Sequence, residues 1–303
     1  MTPPRRPSRS PDARSAALLV AFACGAIAAA APRAAHAQAC CVGTGLVTPA
    51  RLRMFEDYAV CVQTSVRNVM GSFFPNGSYV ASPAGDSEVD LEQDLLAATR
   101  IGRHFQAALK LPFVETGRHE TGVSAFGGGL GDVAANLRYD ITFAGDDPRL
   151  PGIAVLAGLS APTGRTVEDS GDPTSATGLG SAEPNLGFAV EQVRGRAFLS
   201  LTGFVSKQLS RTVDGVQESF GLRLTGVLAG GYAFANEVTL GGFVTGMHRN
   251  DEALVTGGAA IALPFGDYWR VQGTLSGDLP FSGWGRNRPT GAGITASLLR
   301  VWL

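Results

Sequence analysis

Polar and apolar residues alternate along most of this chain with a period of two. Val133, Ala135, Leu137, Tyr139 and Ile141 share one face of a run whose other face carries Asp132, Asn136, Arg138, Asp140 and Thr142. Ala197, Leu199, Leu201 and Val205 alternate with Ser200, Thr202 and Ser206. Phe220, Leu222, Leu224 and Leu228 alternate with Ser219, Arg223 and Thr225, and Trp269, Val271 and Leu275 with Arg270, Gln272, Thr274 and Ser276. Period two is the mark of a strand with unlike faces, and runs of about 9–11 residues tilted near 45° are long enough to cross a bilayer. The pattern predicts twelve strands: 56–73, 88–101, 104–114, 131–143, 152–161, 182–192, 196–207, 218–232, 237–248, 252–264, 268–278 and 291–303. Toward the end, Thr295, Leu299, Val301 and Leu303 alternate, with Trp302 penultimate.

The connections sort by parity. Those at 74–87, 115–130, 162–181, 208–217 and 279–290 are long and rich in Gly, Pro, Ser and Asp. Those at 102–103, 193–195, 233–236 and 265–267 are short, 144–151 is intermediate, and 249–251 breaks the rule by being short. A soluble sandwich has no reason to sort its loops this way. An outer-membrane barrel does, with short periplasmic turns and long outside loops. The expected fold is therefore all-β, an antiparallel transmembrane β-barrel of about twelve strands with both termini on the periplasmic side.

Composition agrees. Only 17% of the residues are charged, 45% are apolar, and 40 of 303 are glycine. So much glycine argues against a helical bundle, and the apolar content argues against disorder. A net charge of −1 gives no reason to expect a nucleic-acid partner. The outer-membrane lipid and a small-molecule solute are the expected partners, and the oligomeric state stays open.

The first 37 residues read as a secretory signal. Arg5, Arg6, Arg9 and Arg14 precede the uncharged stretch Ala16–Ala31, and Ala35-His36-Ala37 supplies the small-x-small pattern of a cleavage site. That stretch is shorter than the ~20 residues a membrane helix needs. Arg5-Arg6 lacks the apolar pair of a twin-arginine signal, which favours general secretion. Gln38 then begins the mature chain, 38–55 forms an N-terminal periplasmic segment, and 56–303 forms the barrel in the outer membrane of a Gram-negative cell. Three cysteines survive cleavage, Cys40, Cys41 and Cys61. One disulfide to Cys61 fits an oxidising compartment, but its pairing stays open. Ala37-Gln38-Ala39 lacks the leucine that a lipidated Cys40 normally shows.

With apolar faces in lipid, Asp132, Asn136, Arg138, Asp140, Arg223, Arg270 and Gln272 are the candidate lumen-lining residues. Both signs of charge are present, so paired networks are expected rather than a strongly ion-selective field. Bracing the barrel and contacting solute are equally good readings of these side chains.

Gly129-Leu130-Gly131-Asp132 leads into one strand, Ala161-Pro162-Thr163-Gly164 ends the next, and Gly178-Leu179-Gly180 precedes a third. This order resembles the Gram-negative outer-membrane family often labelled for the MetA pathway of phenol degradation. The resemblance covers about Asp90 to Lys207 through short, glycine-dominated motifs. It implies an outer-membrane barrel that passes small, often apolar or aromatic compounds, and it transfers no ligand-binding residue. Leu303 departs from the terminal aromatic with which such barrels usually close.

Candidate chemistry is sparse. Gly127-Gly128-Gly129-Leu130-Gly131-Asp132 puts Asp132 where a dinucleotide fingerprint needs its third glycine, and a strand follows instead of a helix. His104, His119 and His248 are scattered, with no serine elbow or metal spacing. Glu168, Asp169 and Asp172 could attract a divalent ion, although a solvated loop explains them as well. No catalytic, cofactor or metal site is expected. The functional expectation is a passive channel for small molecules, with a structural or surface-interaction barrel as one alternative and a lipid-modifying barrel enzyme as another.

Overall fold

The computed structural model describes residues 51–303 apart from 121, 122, 148, 214 and 215. The signal segment, its cleavage site, Cys40 and Cys41 therefore lie outside the described residues. Twelve long strands follow one another around a closed barrel: β1 Tyr58–Phe73, β2 Ser87–Ile101, β3 Phe105–Glu120, β4 Val133–Thr142, β5 Gly152–Ala161, β6 Glu183–Arg194, β7 Ala197–Lys207, β8 Leu222–Ala233, β9 Thr239–Arg249, β10 Glu252–Phe265, β11 Trp269–Asp278 and β12 Arg288–Trp302. Each pairs antiparallel with the next, and β1 closes on β12 from Tyr58 opposite Trp302 to Phe73 opposite Arg288. Closure leaves no long strand with an unpaired edge, as lipid requires.

The alternation places the apolar set outside. Leu137, Val155, Leu199, Leu201, Leu228 and Leu275 all stand exposed on the outer wall. Aromatic residues gather at the end with short turns, among them Tyr58, Phe105, Tyr139, Tyr232, Tyr268 and Trp302. That belt marks a membrane interface. Long connections cluster at the opposite end, and both described termini lie at the short-turn end.

Two expectations need correction. Residues 115–130 are not a loop, because β3 runs on to Glu120 and pairs with an extension strand Val123–Leu130. Pro112 explains the switch of partner. It has no N–H to give the ladder, so β3 pairs with β4 only from Phe105 to Lys110, and Gly131 N then donates to Pro112 O at 2.9 Å. The second concerns the last strand. Leu299 and Val301 are buried inside, and the lipid-facing set is Ile294, Leu298 and Trp302.

Depth on the outer wall sets the cost of a charge. Leu228→Arg, mid-strand in β8, is expected to destabilise the folded barrel by about 2–4 kcal/mol, and Leu222→Arg at its outer end by only about 0–1 kcal/mol. Urea unfolding in vesicles, followed by heat-modifiable gel mobility, measures both.

Candidate functional site: a lumen closed at its periplasmic mouth

The inner wall is not uniformly polar. At the short-turn end Ala59 and Cys61 of β1, Leu96 and Ala98 of β2, and Leu299 and Val301 of β12 turn inward and form one cluster around Leu52. Leu52 belongs to a strap, residues 51–57, that enters the barrel mouth ahead of β1. Its side chain is fully buried, and its amide donates to Gln106 Oε1 at 3.0 Å.

Charged groups hold the strap on both sides. Glu56 accepts from Arg53 N at 2.8 Å and pairs with Arg270 of β11. Arg100 of β2 donates to Glu56 O at 3.0 Å and to Arg53 O at 2.5 Å. Arg51 pairs with Glu191 of β6, which also meets Arg138 Nη2 at 3.4 Å. Arg138 Nε donates to Asp140 Oδ1 at 2.7 Å, and Gln106 Nε2 donates to Asp140 Oδ2 at 2.9 Å. Glu56, Arg138, Asp140, Glu191 and Arg270 are all buried. Buried ions are tolerated where each is matched and hydrogen-bonded, and each of these five meets an opposite charge. Three sequence candidates, Arg138, Asp140 and Arg270, thus meet in the socket of the strap.

The lumen widens and becomes polar above this floor. On one wall Lys110 reaches Glu92 at 2.5 Å and Asp94 at 3.2 Å, and Arg67 reaches Asp278 at 2.9 Å. On the other, Arg223 donates to Ser206 Oγ at 3.1 Å and pairs with Glu183, which Arg249 approaches at 3.5 Å. Beside this second wall lies a cavity of about 360 Å³ lined by Asn136, Asn185, Phe204, Ser206, Arg223, Thr225 and Thr245. Asn185 Oδ1 is buried there without a hydrogen-bond partner. Two more sequence candidates, Asn136 and Arg223, line this space. Gln272 faces inward, half-buried, with Ser297 and Ala262 as its strand partners.

Asp132 serves elsewhere. It stands at the outer rim and accepts from Gly164 N at 2.9 Å and Leu179 N at 2.7 Å, tying down the connection 162–182. Thr177 Oγ1 donates to Leu130 O at 2.6 Å and Arg165 Nη2 to Gly128 O at 2.5 Å, so the same connection grips the β3 hairpin. A Cβ on Gly164 would lie 2.7 Å from Gly178 Cα, a contact no side chain fits. The glycines that carry the family resemblance therefore build this clamp. Its acidic residues are used within it: Glu168 meets Arg211 at 3.1 Å, Asp169 Oδ2 accepts from the capping Thr166 hydroxyl, and Asp172 accepts from Thr174. Hydrogen bonds from the Thr174 amide and hydroxyl hold the Asp172 carboxyl below its ordinary range.

The histidines do not converge. His104 Nδ1 lies 2.5 Å from Asp140 O at the short-turn end and packs on Tyr139 and Phe143. His119 bonds Ser124 in the outer hairpin, and His248 faces outward on β9.

No protein-family model matches the chain, and no curated protein matches it by sequence. Solved structures do. An outer membrane channel from Pseudomonas putida F1 superposes with a TM-score of 0.68 at 14% identity, covering 83% of this chain and 97% of that one. The chain has the fold of an outer-membrane barrel. The translocator domain of the autotransporter NalP from Neisseria meningitidis follows with a TM-score of 0.50 at 13% identity, covering 95% of this chain and 98% of that one. At such identities the likeness carries the fold of this chain and nothing about its cargo.

Arg138, Asp140 and Arg270 lie on the inward faces of their strands, whereas the strap carries no period by which to read it. The signal was present in β1, β2 and β12, where the inward positions Ala59, Cys61, Leu96, Ala98, Leu299 and Val301 are apolar, as no water-filled lumen requires. Leu52→Ala is expected to weaken docking of the strap by about 2–5 kcal/mol. Hydrogen exchange should show residues 51–57 losing protection while the strand ladders keep theirs.

Proposed function

We propose that the chain is a passive outer-membrane channel for small, uncharged solutes, gated at its periplasmic mouth by the strap 51–57. The observation that carries this reading is the polar cavity bounded by Asn136, Asn185, Ser206, Thr225 and Thr245, standing directly above an apolar, ion-paired floor. The lumen charges are matched within it, so an ion entering from water meets no strong field of one sign. A neutral solute with a hydrogen-bonding group can exchange water for the amides and hydroxyls there and lay its apolar part on Phe204. The family resemblance, with its small apolar or aromatic compounds, supports the same reading, and the barrel fold shared with the channel from Pseudomonas putida is compatible with it. Selection is by width and polarity, with no chemistry on the cargo.

Liposome swelling and planar-bilayer conductance test it. The barrel should pass small neutral solutes in preference to charged ones of the same size, and Leu52→Ala should raise conductance. A barrel that conducts neither ions nor solutes, even with Leu52→Ala, would favour a structural or surface-interaction role. Lumen charge should move ion preference in opposite directions. Arg223→Ala removes a positive charge beside Glu183 and is expected to shift the reversal potential in a salt gradient toward cations, whereas Glu183→Gln shifts it toward anions.

A further inference from the structure

The outer wall holds one arrangement that neither packing nor transport uses. Arg300 lies on the lipid-facing side of β12, directly opposite Trp269 of β11 and Val60 of β1. Its guanidinium carbon stands 5.3 Å from the Trp269 ring centre and 4.8 Å from that of Trp302. The two indoles and the cation together outline an open slot on the outer wall. All three side chains are exposed. We propose that Arg300, Trp269 and Trp302 form a binding site for the headgroup phosphate of an anionic phospholipid.

The position fits that ligand. The slot sits in the aromatic belt at the short-turn end, where the apolar wall gives way to headgroups. Strand ends often fray, but this one is held on both sides. Asp57 N donates to Trp302 O at 2.8 Å and Val301 N donates to Tyr268 O at 2.8 Å. The backbone that carries the rings and the cation is therefore fixed before a ligand arrives, which lowers the cost of binding.

The chemistry fits as well. No carboxylate among the described residues pairs with Arg300, unlike the basic residues of the lumen. Arg103 at the same end makes a useful contrast: it lies 5.5 Å from the Phe143 ring centre, yet Asp146 meets it at 3.7 Å. An arginine facing lipid with its charge unmatched still has five donors in a planar fork, and phosphate oxygens complement that fork. Stacking against indole orients the guanidinium and leaves its edge free to donate. Both indoles also carry an N–H donor and no acceptor, so the slot favours an anion over the amine of a zwitterionic headgroup.

Tryptophan fluorescence reads this site directly. The chain has three tryptophans, and Trp284→Phe in the outer loop leaves only the two of the slot. That barrel would be folded into phosphatidylcholine vesicles containing a minor fraction of brominated phosphatidylglycerol or, separately, brominated phosphatidylcholine. The brominated anionic lipid should quench at least about twofold more at equal mole fraction, and the excess should vanish in Arg300→Gln. Arg300→Leu, apolar and suited to a lipid-facing strand, gives the same reading should the glutamine variant fail to fold. Equal quenching by the two lipids in the parent, or an excess that survives either substitution, would overturn the site. Excess inorganic phosphate should leave the preference intact; its loss would mark a general anion site and sink the lipid assignment. Conductance is not part of this readout, so the lipid site and the channel stand or fall separately.

Discussion

The hydrogen-bonded seam between β1 and β12 is the constraint on which everything else rests. A sheet in lipid cannot leave a row of N–H and C=O groups open, since each unmet group costs several kcal/mol with no water to receive it. The seam runs from Tyr58–Trp302 to Phe73–Arg288. It brings the two ends of the barrel together at the same mouth, and the strap that precedes β1 is thereby delivered to the one place where it can fold inward. Closure also fixes which residues face one another across the lumen. Arg138 on β4 and Arg270 on β11 are remote in sequence, yet both meet acidic partners at the strap.

Much of this was legible because lipid makes alternation strict. A single-residue slip would turn Leu137, Leu199 or Leu228 into the lumen and a polar neighbour into the membrane. Strand bounds read from the pattern accordingly lie within a few residues of those observed, except where glycine and proline hide the signal. Gly127, Gly128 and Gly129 carry no side chain to alternate, so the hairpin that extends β3 reads as loop. In β12 both parities are apolar near the end, and the pattern does not say which set faces lipid. The strap was illegible for a different reason. It has no period, and its burial depends on partners such as Gln106 and Glu191 that only closure of the barrel brings near it.

The division of the interior into an apolar floor and a polar upper lumen follows from the same geometry. Lumen-facing side chains of small barrels must fill space or be hydrated. Ala59, Cys61, Ala98 and Ala108 are small enough to admit Leu52 and the backbone of the strap beside them. Higher up, Asn136, Asn185, Ser206 and Thr245 leave a cavity that water or a solute can occupy. The glycine clamp at the outer rim, built by Asp132, Gly164 and Gly178, keeps the longest connection seated over the β3 hairpin.

The energetics of the floor bear on how such a barrel could be closed and yet conduct. Ion pairs taken out of water gain little net stability, because desolvation offsets most of their attraction. Arg51–Glu191 and Glu56–Arg270 therefore set where the strap lies more than how tightly it is held. Its hold comes chiefly from burial of Leu52 and from bonds to the Arg53, Glu56 and Leu52 backbone. In the proposed gating, water entering the mouth as the strap leaves would re-solvate Glu191, Arg138 and Arg270 and return part of the cost of separating them. A wholly apolar plug would recover nothing in this way. A plug that is specified by charge and held by one leucine and a few backbone bonds is thus suited to fit in a single register and to release.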